Sequence, residues 1–188
     1  MKLIAVLALL LAGACGDSGE DAEGGGSPSP AETAATEAPP GTERYENTEF
    51  GFTIDHPPSW TLTQQPGVVV LLVNEASAQD GFAESVNVVA EELPGEIPLD
   101  DYTEVTIRNL EEGFGQMEVI EEGPTTIDGL PAHSIEYRAE QQGQTLTFLQ
   151  TWLIEATTAF VLTFTGQDEG FDELRPDAES IMKSFRVT

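Results

Sequence analysis

Four strand-like segments follow one another between Met117 and Thr165, separated by turns too short for any crossover. They are Met117–Ile127, 130–140, 145–155 and 159–165. Asp128-Gly129 is a strong two-residue hairpin signal, because the tight turn it forms requires left-handed backbone that Asp and Gly tolerate. Gln142-Gly143 supplies a second such position, and Ala156-Thr157-Thr158 a third short connection. These links impose an antiparallel meander. Within it Leu146, Phe148, Trp152 and Ile154 share one face of their strand, and Phe160, Leu162 and Phe164 share one face of the next. Side chains at period two lie on one side of a sheet, so both sets are assigned to the core.

The flanking segments add strands and two helices. Phe50, Phe52 and Ile54 alternate with Gly51, Thr53 and Asp55, which predicts a strand ended by Pro57-Pro58. Segments 60–65 and 67–73 read as a second pair around Pro66-Gly67. Val86, Val88 and Ala90 mark a further strand closing at Leu93-Pro94-Gly95. Over Leu99–Phe114, Leu99, Tyr102, Thr103, Thr106, Ile107, Leu110 and Phe114 fall in one arc at 100° per residue, with charged residues opposite. Asp100 and Asp101 stand where carboxylates satisfy free amides and oppose the helix dipole. A second amphipathic pattern joins Phe171, Leu174, Ala178, Ile181, Met182 and Phe185. Pro176 interrupts it, so the helix either starts near Pro176 or is kinked there.

The N-terminus reads as an address. Lys2, a short apolar run from Leu3 to Leu11, and Leu11-Ala12-Gly13-Ala14-Cys15 have the form of a lipoprotein signal ending in a lipobox. Residues 1–14 are the expected signal peptide, and Cys15 is the expected lipid-attachment residue, carrying a diacylglyceryl thioether. Cys15 is also the only cysteine, so the fold must stand without a disulfide. Residues 15–43 are expected to form a lipidated, disordered, acidic tether. Its Gly, Pro, Ser, Thr and Ala with interspersed acids cannot bury enough apolar surface to offset the entropy of ordering. As a flexible coil it reaches roughly 30 Å. Residues 44–188 have the usual length of one domain, and no later apolar run is long enough to span a bilayer. The acyl chain is therefore the expected membrane anchor, on the outer, extracytoplasmic face.

The chain has 34 acidic against 7 basic residues, a formal net charge of −27. Nucleic acid and anionic headgroups both demand a basic patch, so neither is an expected partner. No Gly-x-Ser-x-Gly elbow, His-Glu-x-x-His pair or phosphate loop occurs. His56 and His133 are far apart in sequence, and His133 alternates with Ile135 and Tyr137 on one strand face, the place of a core or rim histidine. Asp168, Glu169, Asp172 and Glu173 form the densest acidic cluster. Their spacing fits no calcium loop and suits a helix N-terminus.

The run Phe50-Gly51-Phe52-Thr53-Ile54-Asp55-His56-Pro57 leading to Trp60, then Ile127-Asp128-Gly129-Leu130-Pro131-Ala132 leading to Tyr137, then Ser184-Phe185, resembles the PsbP-like superfamily. Within it the sequence is most similar to LpqN-type actinobacterial lipoproteins, and the arginine-over-lysine bias fits a high-GC source. The resemblance implies an α+β fold, an antiparallel β-sheet sandwiched between helices. It also implies a non-catalytic binding or assembly module of the cell envelope, and since no catalytic, cofactor or metal motif occurs in the chain, no cofactor, metal or catalytic residue is expected. The family usually has an aromatic residue where this chain has His56, and the shared positions carry over no binding residue. The expected partner is a protein or an apolar small molecule. A carboxylate-dependent hydrolase and a cation-binding structural lipoprotein are the alternatives.

Overall fold

The meander forms where the alternation and the turns require it. The computed structural model describes residues 38–78 and 82–188; Cys15, the signal segment and residues 16–37 of the tether lie outside the described residues. In chain order the elements are β1 Glu43–Asn47, β2 Phe52–His56, β3 Trp60–Thr63, β4 Val70–Asn74, β5 Ser85–Glu92, α1 Leu99–Phe114, β6 Met117–Ile127, β7 Leu130–Gln141, β8 Gln144–Glu155, β9 Thr158–Gln167, α2 Phe171–Lys183 and β10 Arg186–Val187. A 3-10 turn, Glu75–Ser77, follows β4, with the Asn74 side chain accepting from the Ala76 amide.

Seven strands form one antiparallel sheet in the order β3-β4-β5-β9-β8-β7-β6. Its hairpins use left-handed backbone at the expected positions: Asp128 and Gly129 have φ of 53° and 76°, and Gln142 and Gly143 have 53° and 83°. Ala156 bends the third turn at φ 52°. The second sheet, β1-β2-β10, is small and joins residues from both ends of the domain.

Each face of the large sheet builds its own core. Phe160, Leu162 and Phe164 of β9, with Val86 and Val88 of β5, pack against Phe171, Ala178, Ile181 and Met182 of α2 and against Phe52 and Ile54 of β2. The opposite parity, Val161 of β9, Phe148 and Trp152 of β8 and Ile135 and Tyr137 of β7, packs against Tyr102 and Leu110 of α1. The result is an antiparallel sheet between helices, the sandwich expected. Helix α1 is fastened by polar contacts in addition to its apolar stripe. The Trp152 indole donates to Thr103 Oγ1 at 2.8 Å, and Tyr102 donates to Glu91 at 3.2 Å. Burial, together with Glu91, pushes the Tyr102 phenol well above its ordinary range.

Several details depart from the local reading. β1 opens at Glu43, the last residue assigned to the tether. Arg44 holds it to β2 through a bidentate ion pair with Asp55, at 2.6 and 2.8 Å. Ser184, after α2, accepts from the Asp55 amide at 2.8 Å and so ties the C-terminal segment to the same strand. Helix α1 is preceded by Pro98 and has no side-chain cap, so Asp100 and Asp101 act on the dipole of its first turn. Helix α2 starts at Phe171 and runs through Pro176. Phe171 is 2% exposed and stacks on Phe164 at 4.6 Å, and burying that ring outweighs one missing helical hydrogen bond.

Candidate functional site

Four elements converge on a cleft between α2 and the β6–β8 end of the large sheet. A β-bulge in β6 makes it possible. Val119 pairs with Tyr137 but Glu121 pairs with Glu136, so Ile120 is an extra residue. The bulge reverses which face each later side chain meets. Met117 packs with the α1 core, whereas Ile127, ten positions on and of the same parity, reaches the α2 core. Glu121 and Thr125 turn with it onto the α2 side.

The cavity has a volume of about 310 Å³, within the range of small-ligand sites. Its sheet side carries Glu121, Thr125, Ser134, Glu136 and Thr151, and its helix side Arg175, Glu179 and Lys183, with Leu149 and Met182 as apolar floor. Arg175, Glu179 and Lys183 are spaced i, i+4, i+8, so they share the flank of α2 beside its buried stripe. Arg175 forms an ion pair with Glu136, whose side chain is 11% exposed, and its guanidinium also lies over the Phe171 ring at 5.4 Å. Lys183 donates to Glu179 at 2.7 Å. Ser134 and Thr151 hydroxyls lie 3.1 Å apart across β7 and β8. Among the described residues Glu121 is the α2-side carboxylate of the cleft with no ion pair.

Sequence reasoning did not find this site, because its charges come from separate elements and each is unremarkable in its own segment. Met117 and Ile127 share a parity, so the sequence alone places them on one face, and only the bulge at Ile120 separates them.

The residues singled out from the sequence lie elsewhere. His133 is on the α1 face, stacked on Trp152 with ring centroids 5.2 Å apart, and its Nε2 lies 3.1 Å from Glu122. It is a rim histidine, as its alternation implied. His56 is buried on β2, in the other sheet, with Nδ1 3.1 Å from the Pro57 carbonyl. The two imidazoles are therefore not brought together. In the acidic cluster, Asp168 accepts from Arg138 and from Thr147 Oγ1, and the Arg138 contact, followed by the Thr147 one, holds its carboxyl below the ordinary range. Asp172 and Glu173 occupy the first turn of α2. Among the described residues no group of three or more His, Cys, Asp or Glu is placed to hold a metal ion. Also among the described residues, no helix is long and apolar enough to cross a membrane.

A second, wider groove of about 800 Å³ is more open and is bordered by Phe50, Val68, Val69 and Ala90 with Gln64 and Glu49. It lacks the converging charges of the first.

The fold has solved counterparts. Cyanobacterial PsbP (CyanoP) from Synechocystis sp. PCC 6803 superposes with a TM-score of 0.64 at 19% identity, covering 84% of this chain and 98% of that one. LpqN of Mycobacterium tuberculosis, described as involved in cell envelope biogenesis, gives 0.57 at 14% identity, covering 78% of this chain and 90% of its own. The Ran-binding protein Mog1p of Saccharomyces cerevisiae gives 0.53 at 15% identity over 78% and 95%. The fold is thus PsbP-like, as the motifs implied, and the LpqN-type likeness is one of fold. No curated protein sequence matches the chain. A family model does: residues 56–184, well over half of the chain and spanning β3 to α2, match DcrB, and the protein belongs to the DcrB family.

Proposed function

We propose that the protein is a lipid-anchored, extracytoplasmic binding or assembly module of the cell envelope, with no turnover of its own. The observation that carries the reading is the α2–β6 cleft. It is large enough for part of a ligand or a partner's side chains, and its buried charges are already paired within the protein. An acid–base mechanism needs a carboxylate free to exchange protons with a substrate. Here Glu136 is engaged by Arg175 and Glu179 by Lys183, which leaves Glu121 as the one α2-side carboxylate of the cleft without an ion pair among the described residues. Such pairs orient and select a partner more readily than they drive a reaction. Two proteins of the same fold support the reading by what they are described as doing: one binds Ran, and the other takes part in envelope biogenesis. The lipobox at Cys15 supports the location.

One observation favours a second reading. Glu121 and Glu136 are register partners on one face, so two carboxylates do approach within the cleft, as a hydrolase would require.

The test is photo-crosslinking in the native envelope, with a photoreactive residue at Thr125 in the cleft and a control at Glu104 on the exposed face of α1. A discrete adduct from position 125 alone is expected. Absence of any adduct at 125, or hydrolysis by the purified protein that disappears in Glu121→Gln, overturns the reading. Anchoring is tested separately: Cys15→Ala should move the protein from the membrane fraction to the medium, and retention refutes the lipid anchor.

A further inference from the structure

β6 is the outermost strand of the large sheet, paired with β7 on one side only. Its other side presents unpaired backbone along an 11-residue strand. The opposite edge, β3, has only four residues. Among the described residues only three large apolar side chains are strongly exposed, and two of them, Val119 at 44% and Ile120 at 42%, sit side by side on β6. Long edges are usually blunted, and this one is blunted at one end: Pro124 has no amide to donate, so a template for pairing stops there. Residues 117–123 remain.

We propose that this stretch of β6 is a strand-addition site for an extended, basic segment of a partner protein. The inference rests on the reading of the domain as a binding module and specifies its partner. Charge decides the occupant. The stretch carries Glu118, Glu121 and Glu122, and Arg138, the cation beside Glu118, is shared with Asp168. A second copy pairing antiparallel here would bring the three glutamates of each edge together, and like charges repel. Residues 16–43 of this chain are acidic and are repelled for the same reason. A segment alternating basic and apolar residues satisfies both features at once. Its backbone pairs with β6, its apolar side chains meet Val119 and Ile120, and its lysines or arginines meet Glu118 and Glu121 on the α2 side, Glu122 being beside His133 on the other face. Because Glu121 faces the α2 side, alternate side chains of the added strand would point into the cleft.

The experiment uses ¹⁵N-labelled full-length protein in detergent micelles and three synthetic heptapeptides. One alternates Lys and Val, one is the same peptide with alternate backbone amides N-methylated, and one replaces each Lys by Glu. The first should slow amide exchange and shift resonances within residues 117–123, and its binding should weaken as salt rises. The N-methylated peptide should bind about tenfold or more weakly, as expected when strand hydrogen bonds are lost. The Glu peptide should not bind. Ile120→Lys and Glu121→Lys, both at exposed positions, should each weaken the first peptide without changing the circular dichroism spectrum. Equal binding of the N-methylated or Glu peptide overturns the proposal, as does binding of none. Shifts centred on Phe50 and Val68 overturn it too, as does concentration-dependent protection of 117–123 without peptide, which would mean self-pairing. If crosslinks from Thr125 persist in Ile120→Lys and Glu121→Lys at wild-type levels, the β6 assignment falls while the binding-module reading stands.

Discussion

The same substitution, Thr→Val, should change stability in opposite directions at two buried positions on the α1 face of the sheet. Val matches Thr in shape and in β-branching, so the exchange isolates the hydroxyl. At position 103, in α1, the hydroxyl accepts the Trp152 indole N–H at 2.8 Å, and Trp152 is fully buried. Val leaves that donor with no partner and no water, at a cost of about 1–3 kcal/mol. Helix propensity does not confuse the result, since Val and Thr are nearly equal. At position 165, in β9, the residue is 0% exposed and its Oγ1 has no hydrogen-bond partner among the described residues. Val there removes an uncompensated desolvation cost of about 1–3 kcal/mol. For a chain of this size each kcal/mol moves Tm by about 2–4 °C. Thr103→Val should therefore melt roughly 2–12 °C below wild type, and Thr165→Val by a similar margin above it, in calorimetric scans at pH 7. Thr103→Ser, which keeps the acceptor, should recover most of the first loss. Shifts of the same sign at both positions, or a Thr103→Val protein melting within about 1 °C of wild type, would refute the claim that satisfaction of these hydroxyls sets the sign.

Other outcomes follow from the cleft, from α1 and from the hairpins. Arg175→Met should cost about 2 kcal/mol, because Glu136 loses its counter-charge in a site that water only partly reaches, and adding Glu136→Gln should restore most of it in denaturant titrations; a double variant no more stable than the single one refutes the pairing. Burial raises the carboxyl of Glu91 above its ordinary value, against the opposing hydrogen bond from Tyr102. Between its unfolded and raised folded values the native state binds more protons, so this group makes stability fall as pH rises through that window. Glu91→Gln should flatten that fall and melt higher than wild type at pH 7 but not at pH 4, and equal gains at both pH values refute the assignment. Gly129→Val should cost about 1–2 kcal/mol. A Cβ there meets nothing within 4 Å, so the whole penalty comes from φ of 76°, and an unchanged melting temperature would show that the turn relaxes without cost.

Much of the fold was legible because its signals are local. Alternation over 145–155 and 159–165, the Asp128-Gly129 and Gln142-Gly143 turns, and the arc of α1 each depend on neighbours within a few residues, and the corresponding elements agree to within two residues at each end. The resemblance to PsbP-like proteins rested on other short segments, Phe50 to Pro57, Ile127 to Ala132 around the Asp128-Gly129 turn, and Ser184-Phe185, and the fold agrees with it. The small sheet was not legible. β10 has two residues and β1 is polar, and each is a strand only because β2 lies beside it. Pro176 predicts a helix that either starts near it or is kinked there, and the buried Phe171 ring sets the start five residues before it.

By itself the sequence determined the antiparallel meander, the two amphipathic helices, the strongly acidic character and an N-terminus built like a lipoprotein signal, since periodicity, turn chemistry and charge are written in consecutive residues. Only the tertiary structure decided that β5 lies against β9, that one extra residue at Ile120 turns Glu121 toward α2, and that Arg175 meets Glu136 across 39 positions of chain. The physical reason is that register and sheet order are chosen by burial summed over the whole core. No single segment carries enough of that energy to reveal the choice, so a cleft assembled from β6, β7, β8 and α2 has no sequence motif of its own.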